Sequence, residues 1–245
     1  MQGRNNKFVS NLLFALSVPK CVSCRARLTK EDRALCPSCK KQYNNTKSRN
    51  CSLCAKRLNR CSCTNDYLSK HFVIGLAKVY RYRQAKDFSA ANSLVYKLKH
   101  DNREDVIDFV SDELLEAIKS SLPTLPENTL VTHVPNRKSA IIERGFDHAE
   151  SLGRAVASKL GLEFMPLLVS LSKKPQKEMS IDERLKNAKF DLISEPDLKG
   201  RIVLIIDDVV TSGASMGNAA TMIRALKPKA IYGAAVAIAY QDSES

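Results

Sequence analysis

Two adjacent carboxylates, Asp207 and Asp208, follow the apolar run Ile202–Ile206 and precede Thr211-Ser212-Gly213-Ala214-Ser215. An apolar run of that kind, bounded by polar residues, predicts a buried strand over 201–206. The acids then stand at its carboxyl end, where open α/β sheets bind ligands. The small-residue turn opens a predicted helix over 215–226. Free N–H groups at a helix start, with nearby hydroxyls, suit a phosphate. Gly213 lets the backbone come close to it. Two carboxylates beside a phosphate repel it unless they serve something else, and ribose hydroxyls or an Mg2+ ion are what they suit. The pattern calls for a sugar with vicinal hydroxyls and a 5′-phosphate. No Gly-Lys-Ser/Thr follows the turn, and the segment is not a dinucleotide fingerprint. The bland alternative is two acids that cap a helix beside an ordinary turn.

A second chemistry lies at the other end of the chain. All eight cysteines fall in Cys21-x2-Cys24, Cys36-x2-Cys39, Cys51-x2-Cys54 and Cys61-x-Cys63. Such spacing brings both sulfurs of one turn to a single tetrahedral ion at ~2.3 Å. Four half-sites make two structural Zn2+ sites, with every position filled by sulfur. The simplest pairing is sequential, but an interleaved one satisfies the same spacing. The region is poor in large apolar residues, so metal binding has to supply folding free energy. A disulfide framework suits a cytosolic chain poorly.

These residues need a scaffold. Strands are predicted at 71–82, 129–134, 163–169, 201–206 and 230–239. Helices are predicted at 89–99, 104–119, 146–160 and 215–226, with Asp101 or Asn102 capping the second and Gly161 ending the third. Pro123 and Pro126 mark a linker. Alternating strands and helices imply an α/β fold with a mainly parallel sheet and helices on both faces. The division expected is 1–68 for a small cysteine-rich zinc-ribbon module with a short N-terminal helix, and 69–245 for the α/β domain.

The chain has 245 residues and a formal charge of +13. Residues 1–70 hold fifteen Lys/Arg against three Asp/Glu, or +12, and the remainder is nearly neutral. Eight thiolates and two Zn2+ leave about +8 in the module. An anionic partner, nucleic acid foremost, suits this charge, although a solvated surface that merely keeps a small domain soluble gives the same excess. Between Lys78 and Arg103, basic residues including Lys97 and Lys99 interleave with Tyr80, Tyr82, Phe88 and Tyr96. That mixture suits single-stranded nucleic acid, although a solvated face with core tyrosines gives the same pattern. No apolar run reaches the ~18 residues of a spanning helix. The stretch Phe8–Val18 reads as a packed helix without a cleavage site. A cytoplasmic protein without membrane insertion is expected.

The segment from Arg201 to Met216 resembles the phosphoribosyl-pyrophosphate (PRPP) motif of type I phosphoribosyltransferases. Val134-Pro135 with Arg137, Arg144-Gly145-Phe146, and Gln176 to Phe190 with Glu183-Arg184-Leu185 and Asn187 extend the likeness to the ComF family of competence proteins. That family joins a double zinc ribbon to a phosphoribosyltransferase-like domain. The resemblance implies PRPP binding with Mg2+: Asp207 and Asp208 on the ribose hydroxyls, Thr211 to Ser215 on the 5′-phosphate, and the 136–144 loop facing the pyrophosphate. A closing loop would run from Ser172 to Arg184, with Lys173, Lys174 and Lys177. It also implies a role in DNA uptake during natural transformation, contact with single-stranded DNA and with other competence proteins. The alternative is an active transferase of nucleotide metabolism with no DNA role. Where that family usually has Asn-Gln, this chain has Asp147-His148, and His148 is expected to be a surface helix residue.

Overall fold

A computed structural model describes residues 19–82, 89–172 and 189–239. The expected helix over 8–18, Phe88, and all of the expected closing loop but Ser172 lie outside the described residues. Two cysteine-bearing turns and helix α1 (Pro37–Lys47) come first, then a 3-10 turn (Leu58–Arg60) and the short helix α2 (Asp66–Lys70). Next are β1 (Val73–Arg81), α3 (Ala90–His100), α4 (Glu104–Ser121) and β2 (Leu130–His133). Helices α5 (Lys138–Arg144) and α6 (His148–Leu160) precede β3 (Glu163–Phe164), β4 (Leu168–Ser170) and β5 (Phe190–Leu192). The chain closes on β6 (Ile202–Val210), α7 (Ala214–Arg224) and β7 (Ala230–Ile238).

Among the described residues, five strands form one parallel sheet in the order β1-β7-β6-β2-β3, while β4 and β5 pair antiparallel in a separate ribbon. Strand β6 is central. Its residues Val203 to Ile206 are completely buried, as a strand covered on both faces requires. Truncating Leu204, Ile205 or Ile206 to Ala costs about 2–5 kcal/mol. Alternate side chains face opposite ways. Leu204 and Ile206 join Leu94 of α3, Leu114 of α4 and Leu152 of α6. Val203 and Ile205 join Ala219 and Ile223 of α7 on the other face.

Several boundaries differ from the sequence reading. Strand β6 runs on through both acids to Val210, because β7 keeps pairing with it as far as Ile238. The predicted strand over 163–169 is two strands in different sheets, and Pro166, which lacks an N–H, sits between them. The loop expected at 136–144 contains α5, ended by Gly145 at φ 80°. Helix α4 is preceded by Arg103, whose side chain makes no capping bond, in place of Asp101 or Asn102. Gly161 ends α6 in the left-handed conformation, as expected.

The two cysteine turns are built alike. The N–H of Arg25 bonds the Cys21 carbonyl at 3.0 Å, and that of Ala55 bonds the Cys51 carbonyl at 2.9 Å. Arg25 (φ 66°) and Ala55 (φ 58°) both take the left-handed conformation. Each turn then closes with an isolated bridge, Lys20 to Arg27 and Asn50 to Arg57. The two turns sit on different cores. Cys21, Cys36 and Cys39 pack with the α3–α4–α6 face, and Cys51 and Cys61 with the α7 face.

Candidate functional site

The strand β6 carries its two acids to opposite faces, so they are not equivalent. Asp208, 6% exposed, turns toward α3 and α6. There Lys99 Nζ stands 2.8 Å and His148 Nε2 3.4 Å from its Oδ2. Burial opposes the Asp208 charge, but Lys99 and His148 outweigh it and hold the carboxyl well below the usual range. Asp207 opens partly onto a cleft. Its carboxyl nonetheless lies deep among protein atoms, and burial, reinforced by the Asp208 charge, pushes it well above the usual value. The Asp207 carboxylate accepts the Asp208 N–H at 2.8 Å.

The cleft has a volume of about 490 Å3. One wall is Asp207 to Met216, which brings the whole predicted phosphate loop together with the acids. Gly213, at φ 86°, turns the chain into α7, and the first N–H groups of a helix have no intrahelical acceptor. The facing wall is Val134 to Arg137 with Glu143 and Arg144 of α5. Tyr82, Lys99 and His148 close the back.

His148 corrects the sequence reading, for it is 4% exposed. Asp147 caps α6 by accepting the N–H groups of Ala149 at 3.0 Å and Glu150 at 3.3 Å. It also accepts the backbone N–H of Asn136 at 2.8 Å and its side-chain amide at 2.6 Å. Burial opposes its charge, yet His133 and these Asn136 bonds bring it down to about 2. The second hydrogen of the Asn136 amide faces His148 Nδ1 at 3.3 Å. That bond network assigns Nδ1 as the acceptor and leaves Nε2–H directed at Asp208. Asp147-His148 thus anchors the base of the cleft.

The basic, aromatic patch read between Lys78 and Arg103 is dispersed. Lys78 is buried, Lys99 is paired with Asp208, and the Tyr80 hydroxyl donates to the Ala91 carbonyl at 2.8 Å inside the core. Lys97 pairs with Asp101, and Tyr96 lies against His100. Lys99, His148 and Tyr82 are the site residues that the sequence reading missed. Only the helical spacing of Lys99, one turn beyond Val95, hinted that it shares a buried face.

The sulfurs of Cys21, Cys24, Cys36 and Cys39 lie within 4.8 Å of one another, and those of Cys51, Cys54, Cys61 and Cys63 form a second such group. This is the sequential grouping. Cys24 Sγ is 3.6 Å from Cys36 Sγ, and Cys54 Sγ is 3.4 Å from Cys61 Sγ. Four sulfurs around a tetrahedral ion at ~2.3 Å stand about 3.8 Å apart, so both donor sets fit zinc. In each turn the first thiol comes down to about 7: burial of Cys21 and of Cys51 opposes the thiolate, but backbone N–H donors outweigh it. For Mg2+, the oxygen that Asp207 turns to the cleft is a suitable hard donor, while Asp208 is already paired. No helix among the described residues is long and apolar enough to cross a membrane.

No curated protein matches the chain. Among solved structures, a purine phosphoribosyltransferase from Pyrococcus horikoshii is 17% identical over 54% of this chain and 72% of that one, with a TM-score of 0.34. An adenine phosphoribosyltransferase from Saccharomyces cerevisiae is 16% identical over 64% and 75%, with a TM-score of 0.37. Both similarities are remote. Residues 147–244, which hold His148, both acids and the Thr211–Ser215 turn, match the family described as the phosphoribosyl transferase domain, and the mainly parallel sheet with helices around them is a type I phosphoribosyltransferase fold.

Proposed function

We propose that the cleft binds PRPP with Mg2+ and that the protein acts in phosphoribosyl transfer. The observation that carries this is the pairing, in one cleft, of a small-residue helix start with an acid that is open to it and another that is neutralised from behind. The Thr211 to Ser215 loop takes the 5′-phosphate, and Asp207 takes the ribose hydroxyls. The Lys99 cation offsets the charge of Asp208 that would otherwise repel the ligand, and the His148 Nε2–H faces the same carboxylate. Arg137 and Arg144 on the facing wall meet the pyrophosphate. Asp207 would hold Mg2+, which would supply charge neutralisation. The bond from the anomeric carbon to pyrophosphate breaks with its electron pair leaving on pyrophosphate. The nucleophile of the acceptor closes on the anomeric carbon as pyrophosphate departs, and Arg137 and Arg144 offset the negative charge that develops on the leaving group.

Calorimetric titration with PRPP and Mg2+ tests the reading, with wild type beside Asp207→Asn and Thr211→Val and with released pyrophosphate assayed in the same samples. Binding lost in both variants is the expected result. A wild type that does not bind PRPP sinks it.

A second reading adds single-stranded DNA and a ComF-like, cytoplasmic role in DNA uptake alongside other competence proteins. The +12 charge of residues 1–70, with Lys20, Arg25, Arg27, Lys40 and Lys41 exposed, favours it. Oligonucleotide affinity that falls steeply with salt, and falls again in Lys40→Ala/Lys41→Ala, supports this role. No oligonucleotide binding leaves a transferase of nucleotide metabolism.

A further inference from the structure

The segment that follows the second cysteine cluster lies against the back of the phosphate loop. Asn65, two residues beyond Cys63, is the contact point. Its Oδ1 accepts the N–H of Leu68 at 2.9 Å and so caps α2, while its Nδ2 donates to the Ser212 carbonyl at 3.0 Å. Both ends of the amide are used, so its orientation is fixed. A Cβ on Gly213 would stand 3.0 Å from Leu68 Cγ and 3.1 Å from Asn65 Oδ1. A Cβ on Gly217 would stand 2.8 Å from Tyr67 Cε1, and the Tyr67 hydroxyl donates to Asn218 Oδ1 at 2.6 Å. Helix α7 therefore carries glycines where α2 presses on it.

The other side of the same segment is tied to the sheet through the cluster itself. Lys78 of β1 is 1% exposed, and its Nζ donates to the carbonyls of two cysteines of the cluster, Cys61 at 3.1 Å and Cys63 at 2.7 Å. The Leu76 N–H bonds the Ser62 carbonyl at 2.9 Å. Cys61 and Cys63 thus fix where residue 65 begins, and Asn65 fixes where Ser212 lies. We infer that Asn65 is a positioning residue that transmits the metal-loaded state of the Cys51–Cys54–Cys61–Cys63 cluster to the phosphate loop. Among the described residues the first cluster has no such route, because it packs on the opposite face of the sheet. As a statement about ligand affinity the inference rests on the PRPP reading above. As a statement about loop order it does not.

The test uses the full zinc-loaded chain without ligand and follows amide hydrogen exchange at residues 212–215. Asn65→Ser keeps an oxygen for the Leu68 N–H and removes only the donor to Ser212. Exchange is expected to rise about fivefold, as the loss of one neutral hydrogen bond implies. Cys54→Ser is expected to raise it as well, with no further rise in Asn65→Ser/Cys54→Ser, whereas Cys24→Ser leaves these amides unchanged. Unchanged exchange in Asn65→Ser, or an equal effect of Cys54→Ser in both backgrounds, overturns the inference. Titration with PRPP and Mg2+ then separates the two claims. A wild type that binds and an Asn65→Ser variant about fivefold weaker support both, and Asn65→Gln is not expected to restore affinity, because its longer arm misplaces the donor. A wild type that fails to bind refutes the ligand reading alone, and the exchange result still decides the coupling.

Discussion

Lys99 Nζ and Asp208 Oδ2 lie 2.8 Å apart, joining the end of α3 to the central strand beneath the cleft. The lysine keeps 26% of its side-chain surface and the acid 8%, so this is a largely desolvated pair. Lys99→Met leaves the carboxylate with His148 alone. A loss of about 2–3 kcal/mol is expected in denaturant unfolding, the lower end for a buried pair because the lysine still touches solvent. Lys99→Met/Asp208→Asn should recover part of it, and an additive double mutant would show that the two do not interact.

Asp207 sets a pH dependence of the opposite sign to its neighbour. Its folded pKa is raised above the ordinary 3.8, mainly by burial. The folded protein therefore keeps a proton that the unfolded chain has lost, and stability falls as pH rises above that ordinary value. Asp207→Asn removes this slope. Thermal melts of the ligand-free variant and wild type should converge in acid and separate in favour of the variant as pH rises. A constant gap between the two curves would contradict this.

Asp147 behaves in the other way. Its carboxyl is lowered from 3.8 to about 2, against its burial, by His133 and Asn136. Its contribution is present above its unfolded value and is lost as pH falls from 3.8 toward about 2. Asp147→Ala removes a helix cap and two Asn136 bonds together, for about 2–3 kcal/mol at neutral pH. The same substitution should slow any turnover, since it frees Asn136 and His148. Unaltered unfolding would refute this account.

Lys78 has three carbonyl acceptors, those of Cys61, Cys63 and Leu76. Lys78→Met strips all three and is expected to cost about 2–3 kcal/mol. Metal analysis after competition with a chelator should find one zinc retained per chain where wild type retains two, as Cys51 and its partners lose theirs. Equal retention would show that the lysine does not steady that cluster.

Much of this was legible from residue types and spacing. Cysteine spacing alone marked four pairs of sulfurs suited to metal, because a short turn determines how close two sulfurs come. The apolar run before Asp207 marked the central strand, because burial on both faces leaves no room for polar residues. The Thr211–Ser215 composition marked a turn that the structure places in the wall of the cleft. Tertiary structure decided the rest. Which cysteines gather into one group, which acid is paired, and that Lys99 and His148 are cleft residues depend on contacts between segments far apart in the chain. Lys99 stands 109 positions before Asp208, and a lysine's type does not tell whether its helix face meets water or a strand. The difference between two neighbouring acids arises because a strand sends successive side chains to opposite faces, and only packing determines what waits on each.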